Sequence, residues 1–194
     1  IYQGKRIINW DPEAKTALSN IEVIHKEVEG RMYYFRYHLV DSDETFDVAT
    51  TRPETMFGDV CVVVHPKDEK LNHLIGKKCI NPANGDILPI IGDEYIEIGF
   101  GTGAMKCTPA HDPNDYEIAL RHHLNMPICM REDATMNELA GEYEGLDRFE
   151  CRKRLVERIK AEGNFVKEEK IVHSVGHSER TGVMIEPYLS KQWF

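Results

Sequence analysis

Two short stretches hold most of the side chains that could do chemistry. Thr50 to Asp59 reads TTRPETMFGD, and Gly101 to Glu117 reads GTGAMKCTPAHDPNDYE. Together they set Arg52, Glu54, Thr55, Lys106, Thr108, Asp112 and Asp115 among prolines and glycines that fix the backbone. That arrangement suits a polar pocket better than a core. Arginine grips phosphate or carboxylate through two bonds, so Arg52 is a candidate anion contact, although Pro53 beside it would equally serve as a strand-to-helix corner. Asp112-Pro113-Asn114-Asp115 is a helix start, with Asp at the N-cap, Pro at the first helical position and a second Asp at the third. Both carboxylates could do no more than cap amides. A helix N-terminus also keeps carboxylates ionised, however, and two of them beside a glycine loop make a seat for an ammonium group. On a strand, alternation puts Lys106 and Thr108 on one face, where both can point into one cavity.

Other chemistries fit less well. GFGTGA (Gly99 to Ala104) formally satisfies the dinucleotide fingerprint, but that motif must open a helix, and here it opens the alternating segment AMKCT that ends at Pro109. What remains is a glycine turn that lets backbone amides approach a ligand, or a tight β-turn. His111 next to Asp112 and Asp115 lacks a third soft ligand, so no metal is expected. There is no GxSxG, no Cys-His pair stands out, and Ser19, Ser42, Ser174, Ser178 and Ser190 all lie outside the two blocks. An enzyme built on these residues would orient water and form no covalent intermediate. The histidine of VGHSERTG (Val175 to Gly182) is read as structural.

The elements that must position these groups are mostly strands. Alternation over Ile21–Val28 and Arg31–Val40, separated by Glu29-Gly30, predicts a β-hairpin. Further strands are expected at Thr45–Thr51, Val60–His65, Ile87–Ile91, Tyr95–Ile98 and Ala104–Thr108, enough for a closed or nearly closed sheet. Helices are expected near Asp68–Ile75, over Asp112–His123 and over Leu146–Glu162, the last stopping at Gly163-Asn164. The fold class is therefore α+β, a barrel-like mixed sheet surrounded by a few helices. Tyr2–Asn9 and Val183–Phe194 look like short strands with exposed aromatics (Trp10, Tyr188, Trp193, Phe194). The abrupt stop after KQWF suggests a piece of something larger, with residues 1–28 as an outgoing arm, 29–165 as the compact domain and 166–194 as a returning arm.

The composition is that of a globular domain: 194 residues, 41% hydrophobic and 29% charged. No apolar run reaches membrane-spanning length and the start lacks signal-peptide order, from which we expect a soluble, cytoplasmic protein with no membrane partner. The five cysteines form no CxxC pair and read as buried or half-buried thiols in a reducing compartment. A net charge of -9 argues against general nucleic-acid binding. It leaves room for a local basic path at Arg152, Lys153, Arg154, Arg158 and Lys160, which alternatively is a solvated charged face.

The two blocks, at this separation, closely resemble the editing domain of valyl-tRNA synthetases, the connective polypeptide 1 of these class I aminoacyl-tRNA synthetases. The resemblance covers essentially the whole chain, since GKRIINWDPEAKTALSNIEV and VGHSERTGVMIEPYLSKQWF look like the segments by which those enzymes leave and re-enter their catalytic domain. Leucyl relatives resemble TTRP followed by Asp-Thr and carry a small apolar pair where this chain has Lys106 and Thr108. Isoleucyl relatives replace the Arg-Pro-Glu turn with Pro-Trp, so both differences favour valine. The aminoacylation signatures HIGH and KMSKS are absent, and the fragment is not expected to charge tRNA by itself.

The function that the resemblance implies is hydrolysis of threonine wrongly attached to the tRNA for valine. The valyl enzyme's own choice between valine and threonine is a known case in which an apolar pocket rejects the hydroxyl isostere by only about a hundredfold. A second site must then admit threonine and refuse valine, using a buried acceptor that valine leaves unpaired at a cost of about 1–3 kcal/mol. By resemblance Asp115 takes the α-ammonium and Asp112 belongs to the same cluster with the hydroxyl, or the two roles are exchanged. Arg52, Thr55, Lys106 and Thr108 line the rest, Lys106 favouring the developing oxyanion or a nearby phosphate. Glu97 and Phe100 contact the terminal adenosine of the 3' CCA end, the ring by stacking. The implied partners are that tRNA and the remainder of the synthetase, with no cofactor. Two rivals remain: a tRNA-positioning module without chemistry, and a nucleotide-binding enzyme built on GFGTGA, which a helix directly after Ala104 would support.

Overall fold

The computed structural model describes residues 3–193, so Ile1, Tyr2 and Phe194 at the tips of the expected arms lie outside the described residues. In chain order the strands are β1 (Gln3–Asp11), β2 (Thr16–Leu18), β3 (Val23–Leu39), β4 (Thr45–Thr50), β5 (Cys61–Val64), β6 (Lys78–Ile80), β7 (Ile87–Gly92) and β8 (Ala104–Cys107). The helices α1 (Pro113–His122) and α2 (Arg148–Ala161) follow, then β9 (Phe165–Ser178) and β10 (Glu186–Trp193). The main sheet runs β4-β3-β6-β7-β5-β8, with β9 also on β3, and it curls until β4 and β8 meet at its two ends. This is the barrel-like α+β fold expected. Strands β10, β1 and β2 form a separate three-stranded antiparallel sheet.

Strand β5 shows why the sheet curls around a two-sided core. Its sequence CVVV has no polar position because both faces are covered. Val62 and Val64 face a cluster with Phe35, Tyr37, Val48, Leu155 and Ile159, while Cys61 and Val63 face Ile96, Cys107 and Ile118 of α1. All five cysteines are buried free thiols, as expected. Among the described residues no helix is long and apolar enough to cross a membrane.

Three expectations are corrected. The hairpin at Glu29-Gly30 does not exist, because β3 runs unbroken through it and pairs with β9 from Val23 to Phe35. Gly30 serves close approach rather than a turn: a Cβ there would lie 2.6 Å from His173 Nε2 across the ribbon. The helix expected over Asp68–Ile75 is a series of turns with one short 3-10 stretch, Asn72–Leu74. Asp68 diverts the backbone by accepting the amide of Lys70 on its side chain and those of Leu71 and Asn72 on its carbonyl. Tyr95–Ile98 is not a strand, since Asp93, fixed by Arg121 and His122 of α1, accepts the Tyr95 amide and folds the segment into a turn. The helices at α1 and α2 stand where the capping residues place them: Asp112 and Asp147 accept the first-turn amides, and Gly163 takes φ 82° after the last turn of α2.

Candidate active site

The two motif blocks meet in one cleft of about 210 Å³ between the ends of β4 and β8, the glycine loop and the start of α1. Arg52, Thr55, Lys106, Thr108, Asp112, Asp115 and Phe100 all line it. Glu97 does not: it is exposed on the turn before Phe100, whose amide its carbonyl accepts at 3.3 Å. Each side chain arrives for a local reason. Pro53 opens a 3-10 turn over Pro53–Gly58 in which all six residues are buried, so the corner and the site are the same feature. On β8 alternation sends Cys107 into the α1 cluster and leaves Lys106 and Thr108 on the cleft side. Gly99, Gly101 and Gly103 all have positive φ, which turns the chain back into a strand at Ala104 rather than a helix. The dinucleotide-enzyme reading is thereby excluded, because the structural context it needs is absent.

At the floor lies a buried polar network. Lys106 Nζ donates to Thr55 Oγ1 at 2.7 Å, to Asp59 Oδ1 at 2.8 Å and to Thr108 Oγ1, which uses all three of its protons. Thr108 Oγ1 donates in turn to Asp59 Oδ1, and Thr55 Oγ1 to the Arg52 carbonyl at 2.8 Å. Burial pushes the Asp59 carboxyl up to about 6 despite Lys106 beside it, and its Oδ2 has no hydrogen-bond partner among the described residues. Nothing in the sequence reading singled out Asp59. Its only signal was its place as the last residue of the first block.

Above this floor sit the two carboxylates of α1. Asp112 is the N-cap, with Oδ1 accepting the amides of Asn114 at 2.8 Å and Asp115 at 2.9 Å. Asp115 is buried, and its Oδ2 accepts the Thr108 amide at 2.9 Å, tying the helix start to β8. Burial, and then the negative charge of Asp112, push the Asp115 carboxyl up to about 7. A buried carboxyl raised toward neutrality, beside a second carboxyl group at the same cleft, can seat a cation and hold or release a proton near neutral pH.

The wall behind Arg52 is a buried charged layer that sequence reasoning missed. Arg52 reaches Glu186 Oε1 through Nη2 at 2.6 Å, Glu54 Oε2 through Nε at 3.3 Å and the His111 carbonyl through Nη1 at 3.2 Å. Glu54 is held by two bonds from Arg152, at 2.8 and 2.9 Å, and Glu186 by Arg148 Nη1 at 2.9 Å. Both ring nitrogens of His111 are engaged: Nε2 accepts the Cys129 amide at 3.2 Å while Nδ1 faces the Pro187 carbonyl at 3.2 Å and Glu186 at 3.4 Å. Among the described residues no three His, Cys, Asp or Glu side chains gather as a metal site. Arg52 therefore joins the motif region to β10, and most of its donors are already engaged.

The family model described as "Leucyl-tRNA synthetase, editing domain" matches residues 65–147. A valine--tRNA ligase of Mesoplasma florum is 60% identical over 195 residues, covering 100% of this chain and 22% of its own length. That of Staphylococcus haemolyticus is 60% identical over 194 residues with the same coverage. The chain thus spans 22% of the length of the curated relatives it matches. Among solved structures, the leucyl-tRNA synthetase of Agrobacterium radiobacter K84 in its ternary complex with tRNA and LeuAMS superposes over 96% of this chain and 31% of its own, with a TM-score of 0.56 and 16% identity, a likeness of fold alone. With a match to valyl enzymes along its whole length and an editing-domain model over residues 65–147, the chain belongs to the editing domains of the valyl-tRNA synthetases.

Proposed function

We propose that the chain hydrolyses the ester of threonine wrongly attached to the tRNA for valine, as the post-transfer editing centre of a valyl-tRNA synthetase in the cytoplasm. The observation that carries this reading is Asp115: a buried carboxylate, beside a second one at a helix start, facing the cleft that holds every motif residue. It seats the α-ammonium, and Asp112 takes the hydroxyl that valine lacks, or the two exchange. A methyl group in place of that hydroxyl would leave a carboxylate oxygen unpaired, which costs about 1–3 kcal/mol and more for a charged acceptor.

Water is the nucleophile, and the chain's own residues orient it and the ester. Lys106, with its protons fixed on Thr55, Thr108 and Asp59, supplies positive potential for the developing oxyanion and holds the two hydroxyls in place. Phe100, 63% exposed at the rim, stacks on the terminal adenine. Glu97, outside the lining, reaches only a ribose that projects from the rim. Residues 1–28 and 166–194 act as the arms that join residues 29–165 to the catalytic body. The test is single-turnover deacylation of threonyl-tRNA for valine against valyl-tRNA, with the chain and with Asp115→Ala. Loss of threonine alone, abolished by the substitution, supports the reading. Equal slow loss of both amino acids would leave only a binding module and sink it.

A further inference from the structure

The first cleft does not end at Arg52. A second cleft of about 300 Å³ shares Thr51, Arg52, His111 and Asp112 with it, and is walled beyond them by Arg31, Phe149, Arg152 and His173. A shallower groove of about 270 Å³ continues from there, sharing Arg31, Phe149 and Arg152 and adding Tyr33, Lys153 and Lys160. The three depressions form one track, from Asp115 along the β3–β9 ribbon to the exposed face of α2.

The track is cationic in a chain whose net charge is -9. The side chains of Arg52 and Arg152 are 27% and 26% exposed, while the carboxylates that hold them, Glu54 and Glu186, are 0% and 1% exposed. The anions lie beneath and the guanidinium groups face the track. Arg152 gives Nε and Nη2 to Glu54, and Nη1 keeps no hydrogen-bond partner among the described residues. Arg31 and Lys160 share one carboxylate, Glu168, and Lys153 is exposed with no ion-pair partner among the described residues. Against these five cations the lining sets Glu29, Glu157 and Glu168, with Asp112 at the junction. Phe149 offers an aromatic surface, 39% exposed, with the guanidinium carbons of Arg148 and Arg152 at 4.7 and 5.1 Å from its ring centre.

The basic cluster of α2 is thereby divided. Arg154 pairs with Glu150, and Arg158 turns to Glu142, Glu162 and the Tyr143 ring. Only Arg152, Lys153 and Lys160 face the ribbon side. Several cations along a groove beside an aromatic ring are what a single-stranded polynucleotide requires, with phosphates on the cations and a base on the ring.

We propose that this track seats the single-stranded RNA immediately preceding the terminal nucleotide, with phosphates on Arg31, Arg152, Lys153 and Lys160 and a base against Phe149. The proposal rests on the reading of the first cleft as the seat of the 3'-terminal aminoacylated nucleotide. It adds that recognition of the strand is built into this chain and is sequence-tolerant, because every named contact is to phosphate or to a π-face.

The test is binding of a single-stranded RNA heptamer ending in CCA, followed by fluorescence anisotropy across a salt series, to the chain, to Arg31→Gln with Lys153→Gln, and to Arg154→Gln. All three positions are exposed, so the variants fold. The double variant should bind about tenfold more weakly. Its log-log salt slope should shrink by about 1.4, roughly 0.7 for each of two lost phosphates. Arg154→Gln, with a charge removed from the other side of the same helix, should bind as the unaltered chain does. The track is overturned if the unaltered chain does not bind, if the double variant binds equally well, or if Arg154→Gln weakens binding as much. Threonyl-ester turnover on the same proteins separates the two readings. Turnover with unchanged binding in the double variant sinks the track alone, and track-dependent binding without turnover sinks the editing reading alone.

Discussion

Replacing Glu186 with glutamine removes the anion around which the wall of the cleft is assembled. The side chain is 1% exposed and holds Arg52 at 2.6 Å and Arg148 at 2.9 Å. Arg148, itself 5% exposed, would keep only the carbonyls of Ile185 and Met184. Removing one partner from a buried pair costs about 3–5 kcal/mol, because the charge left behind has no water to turn to. With an unfolding entropy of about 2.1 cal/mol/K per residue, 194 residues give about 0.4 kcal/mol/K, so Tm should fall by about 7–12 °C at pH 7. Burial by itself would raise the Glu186 carboxyl, but Arg52, His111 and Arg148 outweigh it and hold it well below the usual carboxylate range. A depressed carboxylate contributes stability that is full above the unfolded value of about 4.3 and is lost as pH falls through the folded value. The gap between the unaltered chain and Glu186→Gln should therefore be complete at pH 7 and narrow below about pH 4. Thermal melts by circular dichroism at pH 7 and pH 3 measure both. A fall of less than about 2 °C at pH 7, or a gap that is the same at both pH values, would refute the claim that this layer holds the wall in place.

Asp115 titrates near neutrality and should make substrate binding pH-dependent. Its anion is the seat for the ammonium, so KM for the threonyl ester should fall as pH rises from about 5.5 through the value of about 7, and Asp115→Asn should flatten the profile while raising KM. For stability the sign is opposite: a raised carboxyl favours the folded state below about 3.9, and that contribution is lost as pH rises through about 7, so Asp115→Asn should be the more stable protein at pH 8 by chemical denaturation. Gly103→Ala should destabilise by about 1–3 kcal/mol, because φ is +82° and the added Cβ would sit 2.9 Å from Asp68 Oδ2. The same urea titrations measure it, and a loss below about 0.5 kcal/mol would mean that the loop readily re-forms. Asp112→Ala should cost about 1 kcal/mol as a lost N-cap, and a loss of deacylation out of proportion to that would separate its chemical role from its capping role.

What could be read in the sequence was what local physics determines. The start of α1 was legible because capping acts over three residues, and the facing of Lys106 and Thr108 because strand alternation acts over two. No hairpin forms at Gly30: a glycine looks the same whether it bends the chain or admits a neighbouring ring, and the ring that decides, His173, lies on another strand. Glu186 is 134 residues from Arg52. No pattern in either segment announces the pair, so Arg52 looked like a free anion contact when most of its donors were already taken. The same correction applies to Lys106. Its ammonium meets Thr55, Thr108 and Asp59, which leaves no proton for a direct bond to a reacting oxygen unless one of those three yields. The groups at the cleft with charge still to offer an incoming ligand are then Asp115 and Asp112, and the site must discriminate through its acids. That is the division of labour expected where the recognised feature is a hydroxyl and an ammonium rather than a phosphate.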